Sequence, residues 1–160
     1  MSDKENLKFR IGLSGSSKRK KPEFKILLNN NKMIHDSLKA DTNVVEYFEF
    51  TVEVADGANT LEIELLNKSF GDTVLDTSGN ILDDMLLNIE SIEIDEIDIG
   101  TLKWTLSEYK PVYPPNYVRS QILEGNQLPQ AVKNCVNLGW NGKWQLPFSS
   151  PFYIWLLENI

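Results

Sequence analysis

Leu7, Phe9, Ile11 and Leu13 alternate with Lys8, Arg10 and Gly12. That period of two predicts a strand with one buried face. Ser14-Gly15-Ser16-Ser17 and the basic run Lys18-Arg19-Lys20-Lys21 follow as a solvated loop. Phe24, Ile26 and Leu28 repeat the period up to Asn29-Asn30-Asn31. Asparagine tolerates left-handed backbone angles, so 23–35 reads as a hairpin turning there. Over 44–54, Val45, Tyr47 or Phe48, Phe50, Val52 and Val54 alternate with Glu46, Glu49, Thr51 and Glu53. After a turn at Asp56-Gly57, Leu61, Ile63 and Leu65 alternate with Glu62 and Glu64. Such alternation marks sheet with one wet face, which is usually antiparallel. Phe50, Val52, Ile63, Leu65, Ile92 and Ile94 are expected to share one interior.

Residues 67–84 break the pattern with Gly71, Asp76, Gly79 and Asn80, predicting a long loop or small hairpin. Strand character resumes over 86–94 and at Ile97 and Ile99, and Leu102, Trp104 and Leu106 read as a last alternating strand. After Lys110 the composition shifts. Six of the seven prolines lie between Pro111 and Pro151, with Trp140 and Trp144 among them. Proline suppresses ladder hydrogen bonds, so 111–160 reads as an extended arm over a surface. Its end, PFYIWLLENI, is too apolar to stand free in water and must dock on its own domain or on a partner. The expected division is an N-terminal strand and basic loop over 1–22, a β-sandwich over 23–110 and the arm over 111–160. The short strands with turns about every ten residues define the class: an all-β antiparallel sandwich with a Pro/Trp-rich C-terminal arm.

Composition narrows the chemistry. The 160 residues carry 16 basic and 23 acidic side chains, a net charge of −7. Nonspecific nucleic-acid binding needs phosphate-neutralising cations, so nucleic acid is not an expected partner. No apolar run reaches the roughly 18 residues of a membrane span, and the polar start MSDKENLKFR does not read as a secretory leader. One cysteine, Cys135, and one histidine, His35, leave little room for a disulfide, a zinc site or a nucleophile triad. No glycine-rich nucleotide loop occurs. Acids are abundant enough for a glycosidase pair, yet nothing in their spacing singles one out. The expectation is a non-enzyme.

Two features remain. Between Ser69 and Leu102 there is no Lys or Arg, and nine acids fall there, among them Asp72, Asp76, Asp83 and Asp84. Either these terminate turns and coat a solvated strand face, or they converge on a hard cation such as calcium, which takes six to eight oxygen ligands. The second feature is the pair Trp140 and Trp144, flanking the turn Asn141-Gly142-Lys143. They can stack on sugar rings or anchor the arm, and anchoring is the preferred reading. Trp140, Trp144, Phe148, Phe152, Tyr153 and Trp155 are therefore the expected partner contacts, since large aromatics dominate interface anchors.

Two resemblances add to this. Asp56-Gly57-Ala58-Asn59-Thr60-Leu61-Glu62-Ile63-Glu64-Leu65-Leu66-Asn67, the acidic loop, and Ile89-Glu90-Ser91-Ile92-Glu93-Ile94-Asp95 resemble the corresponding phrases of small calcium-dependent, xylan-binding carbohydrate-binding modules. The resemblance implies a jelly-roll-like sandwich, calcium on Asp72, Asp83 and Asp84, and polysaccharide as ligand. Lys68 follows Asn67 where those modules have Asp. The second stretch, Asn141-Gly142-Lys143-Trp144…Pro147-Phe148…Pro151-Phe152-Tyr153-Ile154-Trp155-Leu156, looks like the terminus of small proteins of contractile-tailed marine phages. That likeness implies a bacteriophage virion component: a capsid decoration, neck or tail accessory protein. It would assemble with copies of itself or with other virion proteins through its terminal arms. The assembly role is the leading expectation and the calcium-dependent carbohydrate-binding module is the alternative.

Overall fold

The computed structural model describes residues 3–160. Thirteen strands and three helices follow in chain order: β1 (Lys4–Gly15), β2 (Glu23–Leu28), β3 (Asn31–Ser37), β4 (Glu46–Ala55), β5 (Gly57–Leu65), β6 (Val74–Leu75), β7 (Ile81–Asp83), β8 (Leu87–Ile94), β9 (Ile97–Asp98), α1 (Leu102–Thr105), β10 (Glu108–Pro111), α2 (Pro115–Leu123), β11 (Val132–Lys133), β12 (Asn137–Leu138), β13 (Gly142–Ser150) and α3 (Phe152–Asn159). A single 3-10 turn spans Phe70–Asp72. One sheet runs β12-β8-β1-β4, with β9 on β8, and the other runs β11-β10-β13-β5-β2-β3. β6 and β7 pair only with each other. All pairings are antiparallel.

The expected sandwich is present, and its alternating strands face inward on the expected phase. Leu7, Phe9, Ile11 and Leu13 from one sheet meet Phe24, Ile26, Leu61, Ile63 and Leu65 from the other, all fully buried. Ile92 and Ile94 join them, while Phe50 and Val52 are partly buried against the same core. Aromatic rings bind the layers: Phe9 meets Phe148 edge-on at 6.0 Å, and Phe24 meets Phe48 edge-on at 4.8 Å. Glu62 departs from its expected wet face. It is buried, accepting a hydrogen bond from Gln145 Nε2 at 3.0 Å with Lys143 Nζ 3.8 Å away.

Three expectations need correction. First, Leu102–Leu106 is not a strand but the short helix α1, its last N–H (Leu106) donating to Leu102 O. Leu102 and Leu106 are four apart, so they share a helix face as readily as a strand face. Second, the boundaries at 22 and 110 are crossed by the sheets. β1 lies between β4 and β8, and β13 lies between β5 and β10.

Third, the segment read as an arm supplies an interior strand, and its prolines mislead for a definable reason. Pro147 opposes Thr60 in β5. The N–H of Thr60 donates to Asn29 Oδ1 and its carbonyl accepts from Asn29 N, so both point away from β13. Pro147 therefore sits at a position that owes β5 no hydrogen bond, beyond Gln145, where the pairing with β10 ends. A proline there removes no ladder bond. Beyond it, Phe152, Trp155 and Leu156 lie on one face of α3 at helical spacing and are buried. Among the described residues no helix is long and apolar enough to cross a membrane.

Candidate functional site

The loop between β5 and β8 folds against the start of β13 and against α2. Asn141 ties the two parts together: Lys68 N donates to its Oδ1 at 2.7 Å, and its Nδ2 donates to Lys68 O at 3.1 Å. Tyr109 of β10 holds the neighbouring Trp140 by its main chain. Its hydroxyl donates to Trp140 O and accepts from Trp140 N at 3.0 Å. Burial pushes the Tyr109 phenol well above its ordinary pKa, which keeps that donor proton in place.

Trp140 is thereby fixed among aromatic neighbours. Its ring lies 4.7 Å from Tyr117 and 6.1 Å from Tyr113, and Phe70 is 6.0 Å from Tyr117. Tyr113 and Tyr117 are brought together by Pro114-Pro115, where Pro115 starts α2 at the position a helix accepts proline best. The rings wall a groove of about 340 Å³ lined by Phe70, Thr73, Leu75, Asp84, Tyr117, Gly139 and Trp140. Its polar side is Asp84 with Thr73, whose hydroxyl donates to Asp84 Oδ1 at 2.8 Å. Behind it, the Lys68 ammonium donates to the same Oδ1 at 2.5 Å and to Met85 O at 2.9 Å. The Lys68 side chain is 1% exposed, and its nitrogen lies 5.4 Å from the Trp140 ring centre. One wall is aromatic, with Trp140 and Tyr117 tilted 37° to each other, and the other presents a fixed carboxylate.

The three loop acids expected to hold calcium each have a cation of their own. Asp72 pairs with Lys20 at 2.8 Å and also accepts from Ser69 N. Burial opposes its ionisation, but the Lys20 ammonium and the Ser69 N–H prevail and hold its pKa below the ordinary value. Asp83 accepts from Ser17 Oγ, Lys18 N and Arg19 Nε at 2.7, 3.1 and 3.3 Å. The Ser17 hydroxyl leads in lowering its pKa, against some burial. Asp84 pairs with Lys68. Among the described residues no group of three or more His, Cys, Asp or Glu side chains stands close enough to hold a metal ion. The oxygens present do not fit the donor set a calcium ion needs.

The predicted partner contacts divide. Trp144, Phe148 and Phe152 are fully or almost fully buried and Trp155 is 8% exposed, so these four are core residues and not free anchors. Trp144 Nε1 donates to Cys135 O, and Phe148 packs edge-on against Trp155. Trp140 belongs to the aromatic groove, and Tyr153 is half-exposed on α3. The residues missed by sequence reasoning are Phe70, Tyr113, Tyr117 and Thr73. The four-residue spacing of Tyr113 and Tyr117 around a proline pair was the available signal.

A second cavity, of about 380 Å³, lies over the basic loop between Ser17 and Lys21 and is closed by Asp41 and Thr42. Its Arg19 and Lys20 are turned to Asp83 and Asp72.

At the level of sequence, no family profile and no curated protein matches the chain. At the level of structure, the fold is similar to a carbohydrate-binding module, vCBM60, from work linking two families of calcium-dependent carbohydrate-binding modules by circular permutation. The TM-score is 0.54 at 9% identity, over 88% of this chain and 89% of that one. It is also similar to vCBM60 in complex with galactobiose, with a TM-score of 0.51 at 11% identity, over 87% and 96%. The chain therefore has the β-sandwich architecture of such modules.

Proposed function

We propose that the chain is a non-catalytic glycan-binding β-sandwich and that the groove between Trp140, Tyr117 and Asp84 is its ligand site. The observation that carries this reading is the pairing of an aromatic wall, Trp140 with Tyr117, with a carboxylate across about 340 Å³. A sugar ring offers the matching surfaces: apolar C–H faces for the rings, and hydroxyl edges for Asp84 and Thr73. The likeness to a module bound to galactobiose supports the reading. So does the single carboxylate among the groove's lining residues, because glycosidic hydrolysis uses two acids.

The test is affinity electrophoresis through gels containing xylan or galactan, with galactobiose as a soluble competitor. Trp140→Ala and Tyr117→Ala each remove about 1–2 kcal/mol of apolar contact. Each should weaken binding about tenfold. Migration of the wild-type chain unretarded by any glycan tried, or variants that bind as tightly as wild type, would remove the groove from consideration.

A further inference from the structure

Lys68 is an ammonium almost wholly withdrawn from water, with its charge spent on one carboxylate, one carbonyl and the edge of an aromatic cluster. Withdrawing a charge this far is costly unless its partners are fixed, and here they are. Asn141 clamps the Lys68 main chain from both sides, and Thr73 shares Asp84 Oδ1 with the ammonium. The other carboxylate oxygen, Asp84 Oδ2, meets no hydrogen-bond donor among the described residues, and Asp84 lines the groove. The outcome is a carboxylate held rigid from behind and open in front.

A divalent cation entering here would either take Asp84 from Lys68 or sit on Oδ2 of the carboxylate that already holds the Lys68 ammonium through Oδ1. In the first case a buried ammonium loses its counter-charge, and in the second two positive charges share one carboxylate, with no metal-holding group of acids beside it among the described residues. Asp72 and Asp83, the other acids of the loop, are held by Lys20 and Arg19. Resting on the glycan-binding reading above, we infer that the groove takes its ligand without a metal ion: Lys68 is a built-in cation that orients Asp84, and Asp84 Oδ2 accepts hydroxyl hydrogens from a neutral sugar. The same atom repels uronate and sulfate groups, so the substrate class is neutral glycan. In this respect the chain parts from the calcium-dependent modules it resembles in fold.

The experiment has two independent readouts. In the first, the chain is treated with EDTA, dialysed, and titrated with calcium chloride by calorimetry and thermal melting. No binding heat and no rise in Tm are expected. A saturating rise, abolished in Asp84→Asn, overturns the inference whether or not any glycan binds, because a ligand specific for the folded state must raise Tm. The second readout is nitrogen-15 NMR of the lysine ammonium groups. One slowly exchanging signal is expected, unmoved by calcium. It is assigned by its loss in Lys68→Met, or in Lys68→Met/Asp84→Leu should the single variant fail to fold, since the double variant strands no charge. A signal that shifts with calcium overturns the inference.

Glycan retardation in EDTA is then compared with that in calcium. Equal retardation, with neutral xylan retained and a polyuronate not, is the expected result. Retardation only in calcium overturns the metal-free reading and leaves glycan binding standing. Absence of retardation in both overturns glycan binding, while the calorimetric result on calcium stands.

Discussion

At the scale of single residues, the acidic loop is held by hydrogen bonds that are stronger while its carboxylates are charged. Asp83 carries the clearest case, with a hydroxyl, an amide and a guanidinium converging on it. Its pKa lies below the usual carboxylate value, first through the Ser17 hydroxyl. Asp72 is shifted the same way. A carboxylate with a depressed pKa in the folded state stabilises the fold above its unfolded pKa, near 4, and loses that contribution as pH falls through the folded value. Tm should therefore fall as pH drops below about 4. Asp83→Asn should lower Tm at neutral pH and flatten that acid limb. A variant whose acid limb stays parallel to that of wild type would show that Asp83 does not carry the linkage.

At the scale of elements, the joint between β10 and β13 depends on Gly142. Its φ is +142°, and a Cβ there would lie 2.8 Å from Pro111 Cα. Gly142→Ala should cost about 1–3 kcal/mol, as strained backbone positions do. Gly71→Ala, where a Cβ meets nothing within 4 Å, serves as the control and should stay within about 0.5 kcal/mol. Urea unfolding midpoints measure both. Equal midpoints would mean that the joint relaxes freely. The elements that could be read from the sequence were those whose own periodicity defines them: β1, β2, β4 and β5 alternate, and β8 does so on either side of a one-residue slip at Glu90-Ser91, where its register with β1 shifts. β13 alternates as well, with Trp144, Leu146 and Phe148 inward. Pro147 concealed it, because whether a proline breaks a strand depends on which edge its nitrogen faces, and only the partner strands reveal that. The groove was partly legible through Trp140 and the acidic loop. Its remaining members come from α2 and the 3-10 turn, and nothing local in the sequence states that these meet. The acids were conspicuous, while the cations that neutralise them lie far off in the chain, Lys20 being 52 residues from Asp72.

At the scale of the whole molecule, the two ends of the described chain are structural members of one core. Glu5 of β1 accepts hydrogen bonds from Ser150 Oγ and from Phe152 N, the latter at 2.8 Å, fastening the start of α3 beside the first strand. Removing Pro151–Ile160 takes away buried Phe152, Trp155 and Leu156. Losing one such aromatic commonly costs about 3–5 kcal/mol, a large part of the roughly 5–15 kcal/mol a domain has. The truncated chain should lose cooperative thermal unfolding and NMR dispersion. A truncated chain that remains folded and cooperative would show that α3 is peripheral. The position of β13 also bears on how the protein comes into being on the ribosome. Its nine residues separate β5 from β10 in the finished sheet, yet they are synthesised long after both. During translation β5 therefore waits with an unpaired edge from Gly57 to Leu65, the kind of edge that recruits strands from other chains. Nascent chains crowded on one message are most at risk of mispairing in that interval, and a chaperone that shields β5 would matter most just before Gly142 emerges.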